Sequence, residues 1–272
     1  MATGPIVIVR GGGDIATGVI QKLWHAGFRV LVLEIASPLT IRRTVALSTA
    51  VTKKETIVED MYACLIEEIS ACPDVWRAEQ IPILIDPKME SVDRLKPAIL
   101  VDAILAKKNL GTTRQAAKVV IALGPGFVAG KDVDCVIETM RGPTLGRLIL
   151  DGPALPDTKT PGLIAGKSHE RVIHAATSGI LKSECAIGDY VQAGEILFYI
   201  DDTPMTAPFN GIIRGLIGDF TPVEKGLKVA DIDPRLDVDC DMISDKARAI
   251  GGAVLDASLY LLKKVSKKNY FG

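Results

Sequence analysis

The stretch that decides the fold runs from Ile6 to Glu34, "IVIVRGGGDIATGVIQKLWHAGFRVLVLE". Ile6, Val7, Ile8 and Val9 form a continuous apolar run of the kind found in strands buried on both faces. After Asp14 the period changes. Ile15, Val19 and Leu23 recur every four residues, with Ile20 and Trp24 beside them, which makes one apolar helix face. Gly27 ends that helix, and "FRVLVLE" reads as a second buried strand. Strand, helix and strand in about 30 residues predict a right-handed βαβ unit.

The glycines stand at its first turn. Gly11, Gly13 and Ala16 fit the pattern G-x-G-x-x-A, with Gly12 between the first two. In that pattern the first glycine permits the tight turn and the second lets a pyrophosphate approach the backbone. The alanine lets helix and strand pack closely. The helix terminus then offers N–H groups and a positive dipole end to a phosphate. Glu34 closes the second strand 21 residues after Gly13, about where a ribose-binding acid belongs. Asp14 suits the helix dipole but repels a phosphate unless turned aside. A tight turn that holds no ligand stays open as the alternative.

Outward from this unit the alternation continues. "IPILI" (81–85), "AILVD" (98–102), "KVVIAL" (118–123) and the shorter "DCVIET" (134–139) read as buried strands. Helix-compatible segments such as "MESVDRLK" and "AILAKKNLG" separate them. The expected fold is a Rossmann-like, doubly wound parallel α/β sheet over residues 1–155. Residues 40–75 fit either helix or strand. Ligands in open α/β sheets sit beyond the carboxyl ends of the strands. That makes two loops candidates for the binding site: "GPGF", with Gly124 and Gly126, and "ETMRGPTLGR", with Glu138, Arg141 and Arg147. Asp102, Lys107, Arg42 and Arg43 are weaker candidates. Turn glycines and solvated charges remain the structural alternative.

Residues 156–171 are rich in Pro, Gly and Asp and read as a connection. Beyond it a repeat appears. Ala175, Gly179, Ile180, Val191, Gly194, Ile200 and Asp201 recur as Ala207, Gly211, Ile212, Val223, Gly226, Ile232 and Asp233, each 32 residues later. Short strands and glycine turns in two copies imply a small two-fold β-sandwich over 172–235. The segment resembles the biotinyl/lipoyl-type barrel-sandwich. Its joining hairpin, "YIDDTPMTAPFNG", has Met205 but lacks the carrier lysine, so the resemblance implies the fold without the carrier function. Residues 236–272 hold a helix capped by Ser244, with an apolar stripe and the glycine pair Gly251–Gly252. This helix is expected to return to the α/β domain.

Composition narrows the class. With 32 basic and 33 acidic residues the formal charge is −1, so nothing favours nucleic acid or an anionic membrane as partner. No apolar run reaches the length of a membrane span. The start of the sequence lacks the features of a secretory signal. The five cysteines form no C-x-x-C pair and the three histidines share no metal-binding spacing, so reduced thiols, a cytoplasmic setting and no metal site are expected.

Taken in order, "VRGGGDIATGVIQKLWHAGFRVLVLE", "LVDAILAKKNLGT", "VIALGPGF", "VIETMRGPTLGR" and "ISDKARAIGGAVLDA" resemble the YqeB-type family of selenium-dependent molybdenum hydroxylase system proteins, relatives of the XdhC accessory proteins. The resemblance implies an accessory role in maturing molybdenum hydroxylases, with the hydroxylase or its maturation proteins as partners. It defines no reaction and no catalytic residue. Joined to the glycine turn, it gives the expectation of a nucleotide ligand, either the dinucleotide form of the molybdenum cofactor or NAD(P). An NAD(P)-dependent oxidoreductase and a non-catalytic scaffold with a vestigial nucleotide site are the competing readings. The oligomeric state stays open, a homo-oligomer included.

Overall fold

The computed structural model describes residues 4–158, 160 and 162–268. Residues 1–3, 159, 161 and 269–272 of the expected segments lie outside the described residues. The chain divides into two compact units. The first takes residues 1–38, 46–157 and 243–272, and the second takes 39–45 and 158–242. The boundaries expected at 155, 171 and 235 therefore shift. The second unit also draws a seven-residue piece from within the first half.

The first unit opens with β1 (Ile6–Arg10), α1 (Asp14–His25) and β2 (Arg29–Glu34). Next come α2 (Ala50–Lys53), β3 (Glu55–Val58), β4 (Met61–Ile66), α3 (Cys72–Arg77), β5 (Ile81–Ile85), α4 (Glu90–Leu95) and β6 (Ile99–Asp102). Then follow β7 (Val119–Leu123), β8 (Val128–Ala129), β9 (Cys135–Ile137), β10 (Leu148–Ile149) and β11 (Gly152–Pro153). Nine strands form one sheet in the order β10-β9-β7-β6-β1-β2-β5-β4-β3. Its centre is apolar on both faces: Val7, Ile8, Val9, Leu31, Val32, Leu100, Val101, Val120 and Ile121 are all fully buried.

This sheet corrects the expectation of a Rossmann-like, doubly wound parallel fold. The sheet is mixed, because β10 runs antiparallel to β9 and β3 antiparallel to β4. The hairpin joining β3 to β4 turns at Glu59, whose φ is 53°. Helical winding is also incomplete, since no helix lies between β6 and β7 or between β7 and β9. "AILAKKNLG" is a loop with Leu105 and Lys107 in the left-handed region, at φ 60° and 59°. Its course is set from outside. Arg10, 7% exposed, donates to the Leu110 carbonyl at 2.9 Å, to Thr112 Oγ1 at 3.1 Å and to Asp102 at 3.3 Å, which holds the loop open against helix formation.

α5 (Asp245–Lys268) packs along α1. The contact depends on missing side chains. A Cβ at Gly18 would lie 2.5 Å from the Ala247 carbonyl oxygen, and one at Gly251 would meet the Gly18 carbonyl more closely still. Arg248 of α5 donates to Gln21 at 3.0 Å and Gln21 donates to Glu59 at 2.7 Å, tying both helices to the β3–β4 turn.

The second unit comprises β12 (Val172–His174), β13 (Gly179–Ser183), β14 (Tyr190–Val191), β15 (Ile196–Ile200), β16 (Thr203–Thr206), β17 (Gly211–Leu216), β18 (Pro222–Val223) and β19 (Lys228–Asp233). It corrects the barrel-sandwich expectation. The strands form two separate four-stranded antiparallel sheets, β12-β19-β17-β14 and β16-β15-β13-β18. A segment foreign to the repeat joins the first of them, because Leu216 N–H donates to the Ile41 carbonyl at 2.7 Å. The repeated aspartates have parted in role. Asp201 accepts from Ile180 N–H at 2.9 Å. Asp233 is fully buried and accepts two bonds from the Arg235 guanidinium, at 2.8 and 2.9 Å.

Candidate functional site

Seven parallel strands of the large sheet, β4, β5, β2, β1, β6, β7 and β9, end on one edge, and the chain passes from β1 to β2 on one side of β1 and later enters β6 on the other. Crevices at such reversals receive ligands in open α/β sheets. Nine of the ten residues singled out from the sequence as ligand-binding, from Gly11 to Arg141, fall on the loops or helix starts of this edge, and the tenth, Glu34, ends β2.

The glycine turn divides into two parts. Gly11, at φ 97°, donates to the Leu33 carbonyl at 2.8 Å, and a Cβ there would lie 3.3 Å from Ala103 and Ile104 backbone atoms. Gly12 donates to Glu34 Oε1 at 3.1 Å, and its carbonyl accepts from Ser48 N–H at 2.9 Å. A Cβ on Gly12 would lie 2.9 Å from that same Ser48 nitrogen. These two glycines are buried and are approached by the protein's own backbone. Gly13 is half-buried, has an ordinary φ of −67°, and starts α1 without a side-chain cap. Asp14 is half-buried in the first turn, and Ala16 is buried. Thr17 Oγ1 donates back to the Gly13 carbonyl at 2.9 Å and accepts from Leu47 N–H at 3.0 Å.

Glu34 accepts from Gly12 with one oxygen and from Ile35 N–H with the other, at 3.1 Å each. Burial pushes its pKa up, and the two backbone bonds offset part of that rise. Gly124 donates to the Ile137 carbonyl at 2.9 Å, and a Cβ on it would lie 2.6 Å from Thr139 Oγ1. One on Gly126 would lie 2.6 Å from Lys108 N, so the β7 loop needs Gly124 to meet the β9 loop and Gly126 to meet the β6 loop. Glu138 is 2% exposed and accepts from the N–H groups of Thr139, Met140 and Leu155, all at 2.8 Å. It shapes the loop after β9. Arg141 pairs with Asp245 through both terminal nitrogens, at 2.9 and 3.1 Å, which joins that loop to the first turn of α5.

The sequence reading passed over Lys246. It is half-buried, and its ammonium makes no hydrogen bond or ion pair among the described residues. Burial lowers its pKa and the Arg141 charge lowers it further, while Asp14, Asp245 and Glu138 pull the other way without prevailing. These interactions bring the starts of α1 and α5 and the β9 loop into one electrostatic cluster. A signal for Lys246 was available, because a lysine in the first turn of a helix opposes the helix dipole.

Other candidates have other uses. Asp102 is spent on Arg10, Thr112 and Ile104 N–H. Lys107 pairs with Asp157 at 2.7 Å. Arg42 and Arg43 belong to the second unit, where Arg43 Nε donates to the Leu216 carbonyl at 2.7 Å. Among the described residues no group of three or more His, Cys, Asp and Glu converges as a metal site would require, and no helix is long and apolar enough to cross a membrane.

No family model matches the chain. It is 46% identical, over 258 residues and 94% of its length, to the uncharacterized protein YqeB of Escherichia coli K12. The chain spans about half, 48%, of that relative. Among solved structures it is similar to the ectoine utilization protein EutE of Ruegeria pomeroyi, at 11% identity and a TM-score of 0.24, covering 84% of this chain and 85% of that one. It is also similar to a succinylglutamate desuccinylase of Silicibacter, at 10% identity and a TM-score of 0.25, covering 84% of each chain. An aspartoacylase family protein of Mesorhizobium loti gives 12% identity and the same TM-score and coverage. Scores this low transfer neither fold nor activity. The comparisons nevertheless correct the expected function. The solved structures they recover include an ectoine utilization protein, a succinylglutamate desuccinylase and an aspartoacylase family protein, and the curated relative is uncharacterized. The expected accessory role in a molybdenum hydroxylase system finds no counterpart among them.

Proposed function

We propose that the first unit is a binding module for a small anionic molecule, held at the carboxyl edge of the large sheet by Lys246 and the first-turn amides of α1. The observation that carries this reading is Lys246. A half-buried ammonium without a hydrogen-bond partner among the described residues costs stability, and a bound anion would offset that cost. The uncapped start of α1 at Gly13 adds N–H donors of the same polarity. The test is a thermal-shift panel of inorganic phosphate, pyrophosphate, sugar phosphates and dicarboxylates. At least one should raise the Tm of wild type and leave Lys246→Met unmoved. A wild type that answers to none of them sinks the reading.

A cytoplasmic setting belongs to the same proposal. It is supported by five free cysteines, with burial pushing Cys72, Cys135 and Cys185 up to about 11, where they are poor thiolates. We further propose membership of the YqeB-type family, supported by the 46% identity across 94% of the chain.

A further inference from the structure

At the β10 edge of the large sheet lies a cleft of about 620 Å³, between the loop after β9, which contributes Glu138, Thr144 and Arg147, and the segment 148–156. It lies within the range of small-molecule sites, about 300–1,000 Å³. Its walls are mainly apolar and include Leu148, Ile149 and Ala154. Leu150 and Leu155, also on the wall, are 40% and 48% exposed, so apolar surface stands in water there.

One cation faces this space. Arg147 lines the cleft, and its guanidinium makes no hydrogen bond, ion pair or ring contact among the described residues. Its backbone is fixed nonetheless. Arg147 N–H donates to the Thr144 carbonyl at 2.9 Å, and its carbonyl accepts from Glu138 N–H at 3.0 Å. The nearby acids leave it unneutralised. Glu138 has its carboxylate committed to three backbone amides. Asp151, the other acid on the wall, is exposed and borders Gly130, where a Cβ would lie 3.6 Å from its Oδ1.

We infer that this cleft binds a monoanionic small molecule with an apolar body, a carboxylate whose head meets Arg147 and whose chain lies on Leu150 and Leu155. A guanidinium pairs with a carboxylate through two parallel hydrogen bonds. The negative charges of Glu138 and Asp151 weigh against a dianion at the same place. This inference is independent of Lys246.

Calorimetry with octanoate, octanol and octyl phosphate on the full chain tests it. Octanoate should bind wild type more tightly than octyl phosphate. Arg147→Ala, at an exposed position, should weaken octanoate about tenfold or more and leave octanol unchanged. Leu150→Asp should remove both. If wild type binds none of the three, or if Arg147→Ala binds octanoate as wild type does, the inference is wrong.

Discussion

Two glycine clusters in the first unit carry the same residue for different reasons. At the β1–α1 turn, Gly11 and Gly12 sit where loops from β6 and from residues 47–49 touch the turn. In α5, Gly251 sits where a helix backbone meets Gly18 of α1, while Gly252 beside it has nothing within 4 Å of where a Cβ would be. The turn cluster resembles a ligand motif, and the helix cluster resembles a flaw in helix propensity. In the structure, Gly11, Gly12 and Gly251 all accommodate another piece of backbone. Among the turn glycines Gly13 differs, being half-buried with an ordinary φ. A glycine pattern therefore states that something comes close, and only the neighbours tell what.

The sharpest break of this comparison is Gly251→Ala. Helix propensity favours the alanine by about 1 kcal/mol, but its methyl would meet the Gly18 carbonyl oxygen. Net destabilisation of about 3 kcal/mol is expected from overpacking against backbone, read as a shift in urea midpoint at constant slope. A wild-type midpoint would show that α1 and α5 do not touch as described. Gly12→Ala comes next, at about 2 kcal/mol of destabilisation, because its methyl would press on Ser48 N. Gly13→Ala is its control and should unfold within about 0.5 kcal/mol of wild type. Equal losses at the two positions would erase the division of the turn into two parts.

Gly252→Ala should have the opposite sign to its neighbour. With open space beside it, the alanine should stabilise by up to about 1 kcal/mol. The smallest effect is expected at Lys246. A base whose pKa is lowered by folding binds protons more weakly in the native state than in the unfolded one. Wild-type stability should therefore climb as pH rises toward 10.5, the ordinary lysine value. Lys246→Met should be slightly more stable than wild type at neutral pH and should lack that climb. Thermal melts across the alkaline range decide it, and a less stable variant would mean that Lys246 serves the fold.

Much of the first unit was legible because its signals are local. The apolar run of β1, the four-residue period of α1 and the apolar β2 each depend on side chains within a few positions. The repeat was legible in the same way. Strands β13, β14 and β15 start 32 residues before β17, β18 and β19. What escaped depends on distant partners. The segment after β6 has helix-compatible residues, but Arg10 and Asp102 pin it as a loop. Residues 39–45 join the second unit through bonds such as that from Leu216 to Ile41, which no nearby pattern announces. The edge strands β3 and β10 are too short and too irregular to declare their direction. At the site, the glycines and carboxylates stood out by motif, whereas Lys246 in its helix resembled an ordinary solvated lysine.

The seam between α1 and α5 also bears on how the molecule assembles. Gln21 and Arg248, bonded across it, are 227 residues apart in the chain. Closing a loop that long costs entropy before the contact returns any enthalpy, and folds dominated by such distant pairings are slow to form. Until the seam closes, α1 shows water an apolar flank and a bare glycine backbone, which is a surface prone to mispairing. The seam is therefore expected to close late in assembly of the first unit.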